Sequence, residues 1–110
     1  MMNHRNRRKV WWKPTEGHKK LDPVTWKIFC QENTEILPGK SVLITIPFGI
    51  EMSEGVTMVS LDEKLKRLKC GIQNETIIED TPDISIIVQN YSEEIVSIQA
   101  GQALCLLRYV

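Results

Sequence analysis

An all-β domain, built as a distorted barrel or jelly roll with one short helix and a basic N-terminal arm, is the fold class this sequence predicts. Three observations predict it. Short β-branched and aliphatic runs recur through residues 24–110 with turn-forming clusters between them. A single segment, starting at Leu61, switches to helical spacing. Residues 1–23 hold Pro14, Gly17, Pro23 and many charges with little periodicity, the composition of a flexible arm or linker, so the folded part is expected over 24–110.

The arm is strongly basic. Arg5, Arg7, Arg8, Lys9, Lys13, Lys19 and Lys20 face Glu16 alone, while the whole chain balances 14 basic against 14 acidic residues. The body is therefore net acidic and repels polyanions, which leaves the arm as the place for nucleic-acid contact. Arg5-Asn6-Arg7-Arg8-Lys9 followed by Trp11-Trp12-Lys13 offers guanidinium groups for phosphates and indoles for stacking on bases. The same residues fit a nuclear import signal, a membrane-surface segment or a disordered basic extension. Two adjacent indoles are costly to leave in water, so Trp11 and Trp12 are expected to pack on the domain, a subunit or a partner. With Arg7 and Arg8 they are candidate partner-binding residues.

Strands are predicted over residues 25–30, 41–46, 56–59, 76–78, 84–88, 95–98 and 103–109, from their apolar and β-branched runs. The separators are Leu37-Pro38-Gly39-Lys40, Ser53-Glu54-Gly55, Thr81-Pro82-Asp83, Asn90-Tyr91-Ser92 and Gln99-Ala100-Gly101. Glu93 and Glu94 read as a solvated hairpin tip. Leu61, Leu65 and Leu68 recur at i, i+4 and i+7, which predicts a helix over 61–69. Ser60 is its expected cap, with Glu63 reciprocating and Gly71 as the stop. Its leucines should cover one opening of the barrel.

With 110 residues, 42% of them hydrophobic, the chain suits one modest core and excludes a multidomain enzyme. No apolar run approaches the roughly 20 residues that span a bilayer. The start is basic and polar rather than signal-like, so an intracellular protein is expected, in the cytoplasm, the nucleus or both. Asn74-Glu75-Thr76 and Asn90-Tyr91-Ser92 match the glycosylation pattern but are read as turn residues. Cys30, Cys70 and Cys105 match neither a disulfide framework nor a zinc signature, and each has apolar neighbours, so buried reduced thiols are expected and no metal or cofactor. His4 and His18 lie in the arm and offer no nucleophile–base pairing.

The order Ile36-Leu37-Pro38-Gly39, Ile46-Pro47-Phe48-Gly49-Ile50, Val59-Ser60, Gly71-Ile72 and Gly101-Gln102-Ala103-Leu104-Cys105-Leu106-Leu107 resembles a deoxyuridine triphosphatase (dUTPase) over roughly residues 24–110. The resemblance implies a dUTPase-like barrel. In that family, hydrolysis between the α and β phosphates needs metal-bound phosphates, an activated water and a uracil pocket. Mapped onto the family's motifs, Lys27 stands where an aspartate belongs, and Val59 replaces the arginine that precedes the retained Ser60. Ala103 and Leu106 replace an arginine and a glutamine. The uracil-reading hairpin corresponds to residues 76–83, with no tyrosine and with Pro82; Glu79 or Asp80 is the candidate base there. The family's glycine-rich closing arm would fall beyond Val110.

The resemblance therefore implies a degenerate, non-catalytic member without a cofactor, similar to the adenoviral early-region proteins descended from dUTPase. Those share a run like Trp26-Lys27-Ile28-Phe29-Cys30-Gln31-Glu32 and recruit host signalling proteins, partly through a C-terminal tail that docks in PDZ domains. Here Tyr109 and Val110 are the corresponding partner-binding candidates, with Arg108 where a Ser or Thr is wanted. The expected function is a viral accessory adaptor for host proteins. The alternatives are a divergent dUTP- or nucleotide-binding pyrophosphatase using Asp80 or Glu79, and a nucleic-acid binder working through residues 5–13. Family enzymes are trimers, so a homotrimer is also implied.

Overall fold

The computed structural model describes residues 8–12, 18–46, 48–52, 56–77 and 83–109. Among them the elements run β1 (Arg8–Trp12), β2 (His18–Asp22), β3 (Thr25–Phe29), β4 (Thr34–Ile36), β5 (Ser41–Ile46), β6 (Phe48–Met52), β7 (Thr57–Leu61), α1 (Glu63–Arg67), β8 (Cys70–Ile72), β9 (Thr76–Ile77), β10 (Ile84–Asn90), β11 (Val96–Ile98) and β12 (Ala103–Tyr109). The strands form four sheets, ordered β2-β3-β12-β7-β9, β5-β10-β8, β1-β6 and β11-β4. Every pairing is antiparallel. The all-β class with one short helix is as expected, but among the described residues the sheets do not join into one closed barrel.

Alternation places the core, because successive side chains of a strand point to opposite faces. In β3, Trp26 and Ile28 are buried; in β7, Thr57, Val59 and Leu61; in β10, Ile84, Ile86, Val88 and Asn90. β12 departs from the pattern. Its register with β3 shifts between Ala103 and Cys105, a bulge that turns both Leu104 and Cys105 inward. The carbonyl of Leu104 then accepts the amide of Asp62 at 2.9 Å, tying the middle of the sheet to the start of α1.

Two of the turns expected from glycine adopt the backbone that glycine permits. Gly39 has φ 73° and Gly101 φ 88°, with Lys40 N–H donating to Leu37 O and Gln102 N–H to Gln99 O, both at 3.0 Å. The helix is shorter than its leucine spacing predicts. Ser60 and Leu61 stay in β7, paired with Leu106 and Cys105, so Asp62 caps α1 by accepting the Lys64 amide at 3.0 Å. Leu65 is buried, but Leu68 lies beyond the last helical turn and is exposed. The left-handed residue after the helix is Lys69, φ 65°, rather than Gly71, which lies in β8.

The stretch expected as an arm contains two strands. β2 pairs along β3, with Lys19 opposite Lys27 and Lys20 opposite Trp26, so this sheet starts at His18 and not near Val24. Lys19, Lys20 and Leu21 are all exposed, so β2 is an edge strand without the apolar alternation by which strands are recognised. Asp22 closes its turn: its carboxylate accepts the Val24 amide at 2.9 Å, which holds its pKa below the ordinary value. Residues 1–7 lie outside the described residues.

The three cysteines are buried and free. Burial, with the Asp62 carboxylate nearby, pushes the Cys105 thiol up to about 12. No helix among the described residues is long and apolar enough to cross a membrane.

Candidate functional site

The five-stranded sheet packs Trp26, Ile28, Val59, Leu61, Cys105 and Leu107 inward, which leaves Lys27, Leu106, Ser60, Met58 and Arg108 on the opposite face. The register makes a row of three of these. Leu106 of β12 lies opposite Lys27 of β3 on one side and opposite Ser60 of β7 on the other. Lys19 of β2 extends the row beyond Lys27. Ser60 is exposed, Leu106 is 36% exposed and Lys27 is half-buried, its amine 5.8 Å from the centre of the Phe29 ring. Arg108 lies one step along, between Thr25 and Met58.

Beside Ser60 opens a cleft of about 420 Å³, lined among others by Met58, Lys66, Gly71 and Glu75. Its wall is held by the Val59 amide donating to Glu75 O at 2.7 Å. Glu79, Asp80 and Pro82, the hairpin residues of the sequence analysis, lie outside the described residues.

No protein-family model matches this sequence, and no curated protein matches it. Solved structures do. EIAV dUTPase in its native form matches with a TM-score of 0.79 at 14% identity, covering 94% of this chain and 88% of that one. Two variants of the dUTPase of Staphylococcus bacteriophage 80alpha, one of them with dUpNHpp, match with TM-scores of 0.78 and 0.77. Both are 14% identical and cover 96% of this chain and 90% of their own. The chain has the dUTPase fold.

On that fold, the three positions that the motif resemblance singled out on separate strands meet in one row, as Lys27, Leu106 and Ser60. Their chemistry is poor for a metal ion. A hard divalent cation takes oxygen ligands, above all carboxylates. Lysine offers an ammonium with donors only, leucine offers no polar atom, and one hydroxyl remains. The row supplies no carboxylate for the metal that the dUTPase resemblance implies.

The other candidates are scattered. Arg8, Trp11 and Trp12 lie on β1, opposite Met52, Gly49 and Phe48 of β6; Arg7 and Val110 fall outside the described residues. Tyr109 is not on a free tail. It ends β12 opposite Thr57, and its amide donates to Val24 O at 2.8 Å, so a partner would have to break a central strand to take it. Sequence reasoning missed Leu68, Tyr91 and Ile95, which stand exposed around one groove. Tyr91 and Ile95 flank polar, turn-like residues, and that apolar bracketing was the available signal.

Proposed function

We propose that this protein is a non-catalytic dUTPase-like interaction protein, a viral accessory adaptor that engages proteins of a host cell. The observation that carries the reading is the row Lys27–Leu106–Ser60. Hydrolysis of a triphosphate needs charge neutralisation by a metal and a positioned base for water. An ammonium accepts no proton and an isobutyl group polarises nothing, so this row offers neither a metal ligand set nor a base for water. The phage dUTPases among the structural neighbours are described as controlling the transfer of virulence genes by a proto-oncogenic G protein-like mechanism, and a regulatory role on this fold is in keeping with the proposal. The homotrimer implied by the family resemblance belongs to the same reading and is measured by sedimentation.

The test is a calorimetric titration of the full chain with dUTP and magnesium, together with an assay for dUMP and pyrophosphate. The expected result is no saturable heat and no product. Saturable binding accompanied by turnover would establish the nucleotide pyrophosphatase instead.

A further inference from the structure

Away from the Lys27 row, the residues after α1 and the loop before β11 enclose a groove of about 730 Å³. Three large apolar side chains line it: Leu68 is 43% exposed, Tyr91 67% and Ile95 54%. Single exposed hydrophobics are ordinary, but three around one depression form a patch. Arg67 and Lys69 line the same groove, as do Glu93 and Glu94. None of these four forms an ion pair among the described residues, unlike Lys66, which pairs with Glu63.

The groove is held in shape from beneath. The Tyr91 amide donates to Lys69 O at 2.9 Å. Asn90, fully buried, donates to Ile36 O at 2.9 Å and to Glu94 O at 2.7 Å, and accepts from the Ser92 amide at 2.9 Å. A surface fixed in advance spends little ordering entropy on binding. Val96 and Ser97 of β11 also line the groove, and β11 pairs only with β4 among the described residues. Its other edge carries no strand among the described residues, and Ser97, between the buried Val96 and Ile98, is exposed.

We infer that this groove docks an extended peptide of a partner protein, added as a strand along β11. A bulky apolar residue of the peptide seats among Leu68, Tyr91 and Ile95, with an acidic residue toward Arg67 and Lys69 and a basic one toward Glu93 and Glu94. Main-chain donors and acceptors spaced along a strand edge are satisfied by another peptide backbone. Glu93 and Glu94 repel a uniform polyanion, while the mixed charges complement a peptide carrying both signs. The inference names a partner class for the interaction role proposed above and rests on it.

The experiment titrates the isotopically labelled full chain with two synthetic hexapeptides, Ac-Glu-Thr-Phe-Val-Thr-Lys-NH2 and its charge-swapped twin Ac-Lys-Thr-Phe-Val-Thr-Glu-NH2, following backbone amide resonances. One of the two should saturate, with shifts confined to residues 67–69 and 91–97 and slowed exchange of β11 amides. Ile95→Asp, at an exposed position, should weaken it about tenfold or more, and the double variant Glu93→Lys, Glu94→Lys should weaken it too. Failure of both peptides to saturate at millimolar concentration overturns the inference, as do shifts that survive Ile95→Asp. Perturbation of the same amides by protein concentration alone overturns it in favour of a second copy of this chain. Flat peptide titrations beside a flat nucleotide titration sink the groove and spare the adaptor role, whereas dUTP turnover sinks that role whatever the groove binds.

Discussion

The ring of Tyr91 lies against the backbone of Gly71, so near that a Cβ on residue 71 would stand 2.7 Å from its Cε2. Tyr91 is 67% exposed, so its ring can swing aside. Gly71→Ala should push the ring away and cost about 0.5–1.5 kcal/mol, the range for driving a side chain off its rotamer. Urea midpoints of Gly71→Ala, Tyr91→Ala and the double variant measure the coupling, since the alanine at 71 should be tolerated once the ring is gone. An unchanged midpoint in Gly71→Ala would dismiss the contact.

Asn90 is the polar knot of the β10 end. Its side chain serves the carbonyls of Ile36 and Glu94 and the amide and hydroxyl of Ser92. Asn90→Leu keeps the bulk and strands those groups, at a cost on the order of 2–4 kcal/mol. Hydrogen exchange should rise in residues 34–36 and 92–96 ahead of the rest. Uniform exchange would show that the knot does not hold these segments together.

Stability should fall in alkali through Cys105. Its thiol is pushed from the ordinary 9.0 up to about 12 in the fold. The unfolded chain therefore ionises first, and the contribution is whole below pH 9 and is lost as pH climbs toward 12. The slope reaches about 1.4 kcal/mol per pH unit. Cys70 is raised by burial as well and adds slope of the same sign, so the diagnostic is the difference between the parent chain and Cys105→Ala in urea midpoints from pH 8 to 11. Parallel curves would refute it.

A chain that starts at Val24 loses β2 and bares the edge of β3. It should melt at lower temperature and scatter more light on heating than a chain starting at residue 18, because an open strand edge invites pairing between molecules. Identical melting curves for the two would show β2 to be dispensable.

β5 and β12 have the limits their sequences predict, because in both an apolar run is bounded by turn residues. β2, β4, β6 and β8 escaped, for their chains are short, glycine-bearing or polar. Lys19 and Lys20 lie on an edge and bury nothing, and Thr34–Ile36 turns one side chain fully inward. The helix is shorter than its spacing predicts because Leu68 satisfies that spacing without being buried, while pairing with β12 keeps Ser60 and Leu61 extended. Lys27, Ser60 and Leu106 were each legible by resemblance, yet only strand register makes them neighbours. The groove was hidden because Asn90 and Ser92 look like ordinary turn residues until the burial of Asn90 is seen.

β12 lies between β3 and β7, and it follows both in the order of synthesis. On the ribosome, β3 pairs first with β2, and its other edge waits for a partner made some 80 residues later, several seconds at roughly 5–20 residues per second. Until β12 emerges nothing joins the β2–β3 pair to the β7–β9 pair, so the five-stranded sheet is assembled only once Tyr109 has left the exit tunnel, and holding chaperones have their opportunity before then.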